Sequence, residues 1–138
     1  MKSWILYKDS AAALKPEAYE VKRLIETGEK RGHEIEVFKP EQFELLVTAA
    51  TERSLMVDSA VVDLPDVLLP RMGAGTTYFA LSVIRQFERL RVPTFNTSLS
   101  IETVRDKLFT HQLLGRAKLP IPKTMLAKFP IDVGLVER

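Results

Sequence analysis

Residues 67–77, VLLPRMGAGTT, decide the fold, because an apolar run passes through a glycine-bearing turn into an amphipathic stretch. Residues 67–69 are typical of a buried strand, and residues 76–91 carry apolar side chains at helical spacing. In an open parallel sheet, ligands gather at the carboxyl ends of strands, near helix N-termini. Arg71 is therefore expected at that edge, beside N–H groups whose partial positive charge suits an anion.

A purely conformational interpretation of the same turn stays open. Gly73 and Gly75 can serve only to let the chain reverse, and Thr76 or Thr77 can serve only to cap the helix. Arg71 can serve only to tie the sheet edge to a neighbouring carboxylate. These residues alone do not decide between an anion-accepting cleft and a structural turn.

Outward from this turn, the chain alternates strands and helices. Strands are predicted near residues 3–8, 34–38, 66–70 and 93–95, and helices over residues 17–31, 76–91 and 98–117. Residues 43–47 fit either a strand or a short helix, and residues 54–62 fit a hairpin that turns at Asp58-Ser59. Alternating order places parallel strands in one sheet with helices on both faces, so we expect an α/β domain of four or five strands.

Composition excludes several classes of function. The chain has no cysteine, which rules out a disulfide framework, a thiolate metal site and a cysteine nucleophile. Its 20 Lys and Arg are mixed with 18 Asp and Glu, so no basic stripe indicates a nucleic-acid partner. No apolar run approaches the ~20 residues that span a bilayer, and the N-terminus lacks signal-peptide character. We therefore expect a cytoplasmic protein without a membrane partner.

The common nucleotide and metal motifs are absent. The first strand–helix turn carries no Gly-x-Gly-x-x-Gly, and no Gly-Lys-Ser/Thr loop occurs anywhere in the chain. The two histidines, His33 and His111, form no metal-ligand pattern, so no metal site is predicted in this chain.

Lys107 stands out within the predicted helix over residues 98–117. At ~100° per residue it falls on the same face as Val104, whereas charged residues such as Arg105 and Arg116 fall on the opposite face. A buried ammonium needs a partner, because stripping its water costs several kcal/mol. Three explanations stay open: an internal carboxylate, an ammonium that reaches solvent past the edge of the apolar face, or a bound phosphate.

Six short motifs follow one another along the chain, and their order is more specific than any one of them. They are LPRMG at residues 69–73, YF at 78–79, IRQFE at 84–88, FN at 95–96, RDKL with QLL over 105–114, and LPIP at 119–122. Together with the opening strand, the helix that ends at residues 30–33 and the strand over residues 35–37, they resemble the N-terminal domain of RimK-type ATP-grasp ligases, and the likeness covers nearly the whole chain. Asp-Lys before a Leu-rich helix also occurs in D-alanine–D-alanine ligases, but Pro-Arg-Met-Gly favours the RimK type.

The resemblance implies a ligase as the parent protein. Such enzymes use ATP and Mg²⁺ to phosphorylate a carboxylate, which an amine then attacks. The RimK type adds glutamate or a related amino acid to a protein or small-molecule carboxylate, so these are the partners implied, and a homo-oligomer stays open. The alternatives are a stand-alone Rossmann-like binding or regulatory domain and a fragment of a D-alanine–D-alanine ligase.

The resemblance also implies site residues. Lys107 matches a lysine that reaches the ATP phosphates, and Arg71 and Gly73 match the edge of the substrate cleft. The full set of expected cleft residues is Arg71, Gly73, Thr76, Thr77 and Asn96.

Finally, the resemblance implies a division of the chain. Residues 1–97 correspond to a Rossmann-like, three-layer pre-ATP-grasp domain, and residues 98–138 to a connecting helix and the start of the ATP-grasp lobe. The nucleotide-gripping lobes of the family follow the segment seen here. We therefore expect this chain alone to hold no catalytic residue, to bind neither ATP nor Mg²⁺, and to be inactive.

Overall fold

A computed structural model describes residues 1–49 and 54–136 of the chain, and these residues form an α/β fold. The strands are β1 (Lys2–Leu6), β2 (Glu34–Phe38), β3 (Phe43–Leu45), β4 (Leu55–Val57), β5 (Ala60–Val61) and β6 (Val67–Pro70). The helices are α1 (Tyr19–Lys30), α2 (Tyr78–Arg89), α3 (Ser98–Arg105), α4 (Lys107–Arg116) and α5 (Val133–Val136).

The main sheet is parallel, as the strand–helix–strand order predicts. Its strand order is β2-β1-β6, with Trp4 opposite both Glu36 and Leu68. Next to β6, a single parallel bridge between Leu68 and Thr94 stands where a fourth strand of the sheet would lie. The four predicted strand positions are therefore confirmed, although the last is a single bridge rather than a full strand.

Helices cover the sheet from both sides, because successive strand residues point to opposite faces. On one face, Trp4 and Leu68 pack against Phe87 of α2 in a fully buried cluster. On the other face, Ile5 and Tyr7 pack against Val21 of α1. The result is the three-layer arrangement expected from the alternation of elements.

A smaller antiparallel sheet, β3-β4-β5, lies beside the main one. The turn between β4 and β5 falls at Asp58 and Ser59, whose φ angles of 47° and 64° suit the tight turns that join hairpin strands. The predicted hairpin is thus confirmed. The ambiguous segment near Phe43 forms a strand, and Phe43 contributes to the buried cluster under α2.

Two helix predictions are corrected. The helix predicted from residue 76 begins at Tyr78, because a 3₁₀ turn over Gly73–Gly75 intervenes and Thr77 occupies the cap position. The single helix predicted over residues 98–117 is wrong, since the chain forms α3 and α4 instead. Asp106 separates them with an extended ψ of 101°, and its carboxylate accepts a hydrogen bond from Phe109 N–H at 2.9 Å. The local cap outweighs helix continuation at this residue.

The chain forms two compact units, Met1–Ile101 and Glu102–Arg138, and the structure describes the second through residue 136. The first unit holds both sheets with α1 and α2. The predicted division at residues 97 and 98 stays a prediction. Among the described helices, none combines the length and apolar character that crossing a bilayer requires.

Candidate functional site

The carboxyl ends of the parallel strands meet at one edge of the main sheet. Lys8 follows β1, Lys39 follows β2, Arg71 follows β6, and Asn96 comes two residues after the bridge at Thr94. Three cationic residues that are far apart in the sequence therefore follow neighbouring strands of the sheet. The sequence analysis singled out Arg71 and Asn96 here but missed Lys8 and Lys39. Their position at or just after the ends of predicted strands was the signal that could have found them.

The backbone of Arg71 is fixed in the sheet, whereas its side chain makes a single exposed ion pair. Its N–H donates to the carbonyl of Leu6 at 2.8 Å, which extends the pairing of β6 with β1. Its guanidinium Nη2 lies 3.2 Å from Glu20 Oε1 of α1, and the two side chains are 42% and 53% exposed. An ion pair this exposed contributes about 0–1 kcal/mol. Arg71 is therefore neither buried against a carboxylate nor committed strongly to Glu20.

The turn after Arg71 has a clear conformational role. Gly73 has a φ of +61°, a backbone conformation that favours glycine. The buried Thr76 donates its hydroxyl to the Gly73 carbonyl at 2.7 Å, and its N–H also donates to that carbonyl. The Thr77 hydroxyl accepts the Ala80 N–H at 3.1 Å and so caps α2. The predicted helix cap is therefore Thr77, whereas Thr76 closes the turn at Gly73 instead, and the place of both residues in a cleft stays a prediction.

The N-terminus of α2 is a further polar feature of the segment that follows Arg71. The first N–H groups of a helix have no carbonyl partner within it, and Thr77 satisfies only that of Ala80. Tyr78 and Phe79 therefore begin the helix at its partially positive end, with exposed side chains. This end follows the turn that leaves β6 beside Arg71.

Asn96 sits in the segment that closes the β6 side of the edge. Phe95 N–H donates to the Leu68 carbonyl at 3.0 Å, and Leu68 N–H donates to the Pro93 carbonyl at 2.9 Å. These bonds fix the backbone just before Asn96, whose side chain is exposed. The five predicted cleft residues thus all lie in the first unit, in the two segments that follow β6 and Thr94.

Lys107 is not where the helical wheel placed it. It belongs to the second unit, is exposed, and its Nζ donates to the Val104 carbonyl at 3.4 Å. The predicted inward direction is wrong, because Val104, which defined that face, is itself 53% exposed and α4 has no buried side chain. An internal carboxylate partner is not needed for an ammonium in water. Its ability to contact phosphate stays a prediction.

Each unit also has a cavity, and that of the second unit, about 340 Å³, is lined by polar side chains that include His111, Lys123 and Thr124. An apolar cavity of about 240 Å³ lies on the α1 face of the sheet, with Leu69 and Phe95 among its walls. It also reaches Met1 and His33, which lie at the opposite, amino ends of the strands. Within residues 1–49 and 54–136, no group of three His, Asp or Glu is arranged to hold a metal ion.

Comparison with known proteins shows which family this chain is similar to. Residues 5–101 match the family model of the RimK PreATP-grasp domain. The chain is 35% identical over 119 residues to a probable alpha-L-glutamate ligase of Marinomonas sp. (strain MWYL1), covering 86% of this chain and 39% of that protein. It is 36% identical over 119 residues to a probable alpha-L-glutamate ligase of Trichodesmium erythraeum (strain IMS101), covering 86% and 40%.

A third relative, probable alpha-L-glutamate ligase 1 of Shewanella amazonensis (strain ATCC BAA-1098 / SB2B), is 35% identical over 120 residues, covering 86% of this chain and 39% of that protein. The chain thus spans about two-fifths of the length of the curated relatives it matches. The matched residues 5–101 contain the parallel sheet, its cationic edge and the Gly73 turn. By sequence and by fold, this chain belongs to the RimK pre-ATP-grasp domain family.

Proposed function

We propose that this chain is the substrate-side domain of an ATP-dependent ligase that joins glutamate, or a related amino acid, to a carboxylate acceptor. The observation that carries the proposal is the cationic edge of the sheet in a chain of this family. Lys8, Lys39 and Arg71 follow three adjacent parallel strands, beside the N-terminus of α2. Relatives that share this domain are named probable alpha-L-glutamate ligases.

The chemistry of such a ligation explains why a cationic edge is useful. A carboxylate oxygen of the acceptor attacks the γ-phosphorus of ATP, and ADP leaves. The amine of the incoming amino acid then attacks the acyl carbon, phosphate leaves, and the nitrogen loses a proton. The reacting group of the acceptor carries negative charge until phosphate leaves, first as a carboxylate and then as an acyl phosphate, and the carboxylates of glutamate add more. Arginine and lysine side chains at a sheet edge attract and orient such groups.

Arg71 suits the binding of a carboxylate better than the lysines do. A guanidinium presents paired N–H donors that match two carboxylate oxygens. Its contact with Glu20 is a single exposed pair, so an incoming carboxylate can replace it at small cost. In this scheme Lys107 contributes a further cation for the phosphates of ATP, because its ammonium is exposed.

The function is tested on the full-length gene product. With ATP and Mg²⁺, ADP release should depend on an amino acid, and glutamate should support it better than D-alanine. Release without any amino acid sets the background. A product that hydrolyses no ATP with any amino acid would favour a binding or regulatory domain, and preference for D-alanine would favour the other ligase class.

The Arg71→Lys variant should weaken use of the carboxylate acceptor selectively. It keeps the charge but loses the fork that pairs with two oxygens. A charge-assisted contact contributes about 1.5–3 kcal/mol, so we expect the KM for the acceptor to rise roughly tenfold or more, with the KM for ATP changing far less. Initial rates at varied acceptor and varied ATP measure the two constants.

Two further variants separate this role from a structural one. Arg23→Lys alters another exposed arginine that pairs with a glutamate, Glu26 of α1, and should leave both constants unchanged. Glu20→Gln removes the partner of Arg71 without removing the guanidinium. If Arg71 only anchors α1, Glu20→Gln will impair the enzyme as much as Arg71→Lys, and the cleft role will be wrong.

A further inference from the structure

Glu88 makes an unusual set of contacts for a residue at the end of a helix. It is the second-last residue of α2 and is half-buried. A negative charge at a helix C-terminus is unfavourable to that helix, because the dipole places partial negative charge there. Glu88 therefore does not stabilise α2 through its charge, and its contacts point to another role.

Both oxygens of the Glu88 carboxylate hold the start of α3. Oε1 accepts the backbone N–H of Ser98 at 2.7 Å, and Oε2 accepts the Ser98 hydroxyl at 2.6 Å. Ser98, the first residue of α3, is 6% exposed. The carboxylate thus caps α3 from another helix, where a negative charge is favourable. A weaker contact joins Oε1 to the Thr94 hydroxyl at 3.5 Å.

These contacts fix the chain on both sides of Asn96. Before Asn96, the backbone of Phe95 pairs with Leu68 in the sheet. After it, Ser98 is held by Glu88. Only Asn96 and Thr97 lie between the two anchors, so their freedom to move is small. Without Glu88 the bonds between α2 and Ser98 are lost, and Asn96 is held on that side only through α3, where Thr97 accepts the N–H groups of Ser100 and Ile101.

We propose that Glu88 is a positioning residue that holds Asn96 at the cationic edge of the sheet, where the acceptor carboxylate is bound. The proposal rests on the ligase function proposed above. It gives a role to the glutamate of the IRQFE motif, residues 84–88, which the resemblance to the family left without one.

Three variants of the full-length gene product test the kinetic part. Glu88→Ala removes every contact, and we expect the KM for the acceptor to rise roughly tenfold, as for the loss of a charge-assisted hydrogen bond. The KM for ATP should change less than twofold. Glu88→Gln keeps an oxygen that accepts the Ser98 N–H and gains an NH₂ that donates to the Ser98 hydroxyl. Its KM for the acceptor and its KM for ATP should therefore be close to those of the unaltered enzyme.

Glu29→Ala is the matched control, because Glu29 is likewise the second-last residue of its helix, α1, but is exposed. It should leave both constants unchanged. Unchanged acceptor KM in Glu88→Ala would overturn the proposal. So would an equal loss in Glu88→Gln, because the contacts would then not be what positions the segment.

A second measurement does not depend on ligase activity. In the 138-residue chain, NMR should show the Ser98 amide exchanging at least tenfold faster in Glu88→Ala, with a shifted Asn96 side-chain amide, and neither change in Glu29→Ala. If the full-length protein proves not to be a ligase, the proposed function fails and these signals alone decide the positioning role. An Asn96 amide that is identical in Glu88→Ala and the unaltered chain overturns it.

Discussion

Replacing Phe87 with alanine should lower the free energy of unfolding by about 3–5 kcal/mol, the cost of removing a large aromatic side chain from a core. Phe87 is fully buried. The centroid of its ring lies 5.9 Å from that of Trp4 and 5.6 Å from that of Phe43, and both pairs are edge to face. One side chain therefore joins α2, the parallel sheet and the small antiparallel sheet. A cavity at this point removes contacts in all three elements, and they cannot all collapse to fill it.

The chain provides its own probe and control for this experiment. Trp4 is the one tryptophan in the sequence, so its fluorescence during urea unfolding reports on the cluster that contains Phe87. Phe79→Ala makes the same change in the same helix at a side chain that is 43% exposed, and should cost less than about 1 kcal/mol.

Because small domains are stable by only about 5–15 kcal/mol, Phe87→Ala can leave little folded protein. Phe87→Leu keeps most of the volume and should cost on the order of 1–2 kcal/mol. Equal unfolding free energies for Phe87→Leu, Phe79→Ala and the unaltered chain would show that Phe87 is not central to the core.

The sheet was predictable because its signals are local and agree with one another. Buried parallel strands appear as short apolar runs, and Gly32, with a φ of 74°, follows α1 just after residue 31, where the predicted helix ends. The hairpin was predictable for the same reason, since Asp58-Ser59 is a pair that tolerates positive φ. Each of these features depends on a few neighbouring residues.

The break at Asp106 was not predicted, because two local preferences compete there. Apolar residues continue at helical spacing through Asp106, and the wheel follows that periodicity. Aspartate also favours a cap, and in the structure its carboxylate accepts the Phe109 N–H while the Asp106 backbone becomes extended. Periodicity cannot detect such a change of direction, nor that the apolar face itself is exposed, as Val104 and Lys107 are in the structure.

The site was predictable only in part, since it depends on which strands become neighbours. Arg71 was found because the turn that follows it is conspicuous in the sequence. Lys8 and Lys39 follow their strands without a glycine-rich turn, and they join Arg71 only because the strand order is β2-β1-β6. Strand order arises from packing across the whole unit, which a reading of single segments does not contain.

Lys107→Met should reduce kcat/KM for ATP roughly 10- to 150-fold in the full-length gene product, because a charge-assisted contact to phosphate contributes about 1.5–3 kcal/mol. The structure changes the reasoning behind this prediction but not its direction. Lys107 is exposed at the start of α4, held by one long bond to the Val104 carbonyl. An ammonium so weakly engaged needs no rearrangement of a core to reach a ligand.

Exposure also makes the test cleaner. Methionine removes the charge without opening a cavity, so the unfolding midpoint of Lys107→Met should match that of the unaltered protein. Lys128→Met is the control, since Lys128 is another exposed lysine of the second unit, and it should leave ATP kinetics unchanged. Lys107→Arg keeps the positive charge and should recover part of the loss. Equal ATP kinetics in Lys107→Met and the unaltered enzyme would leave Lys107 as a surface residue, and the Asp-Lys motif would then owe its form to the helix cap at Asp106.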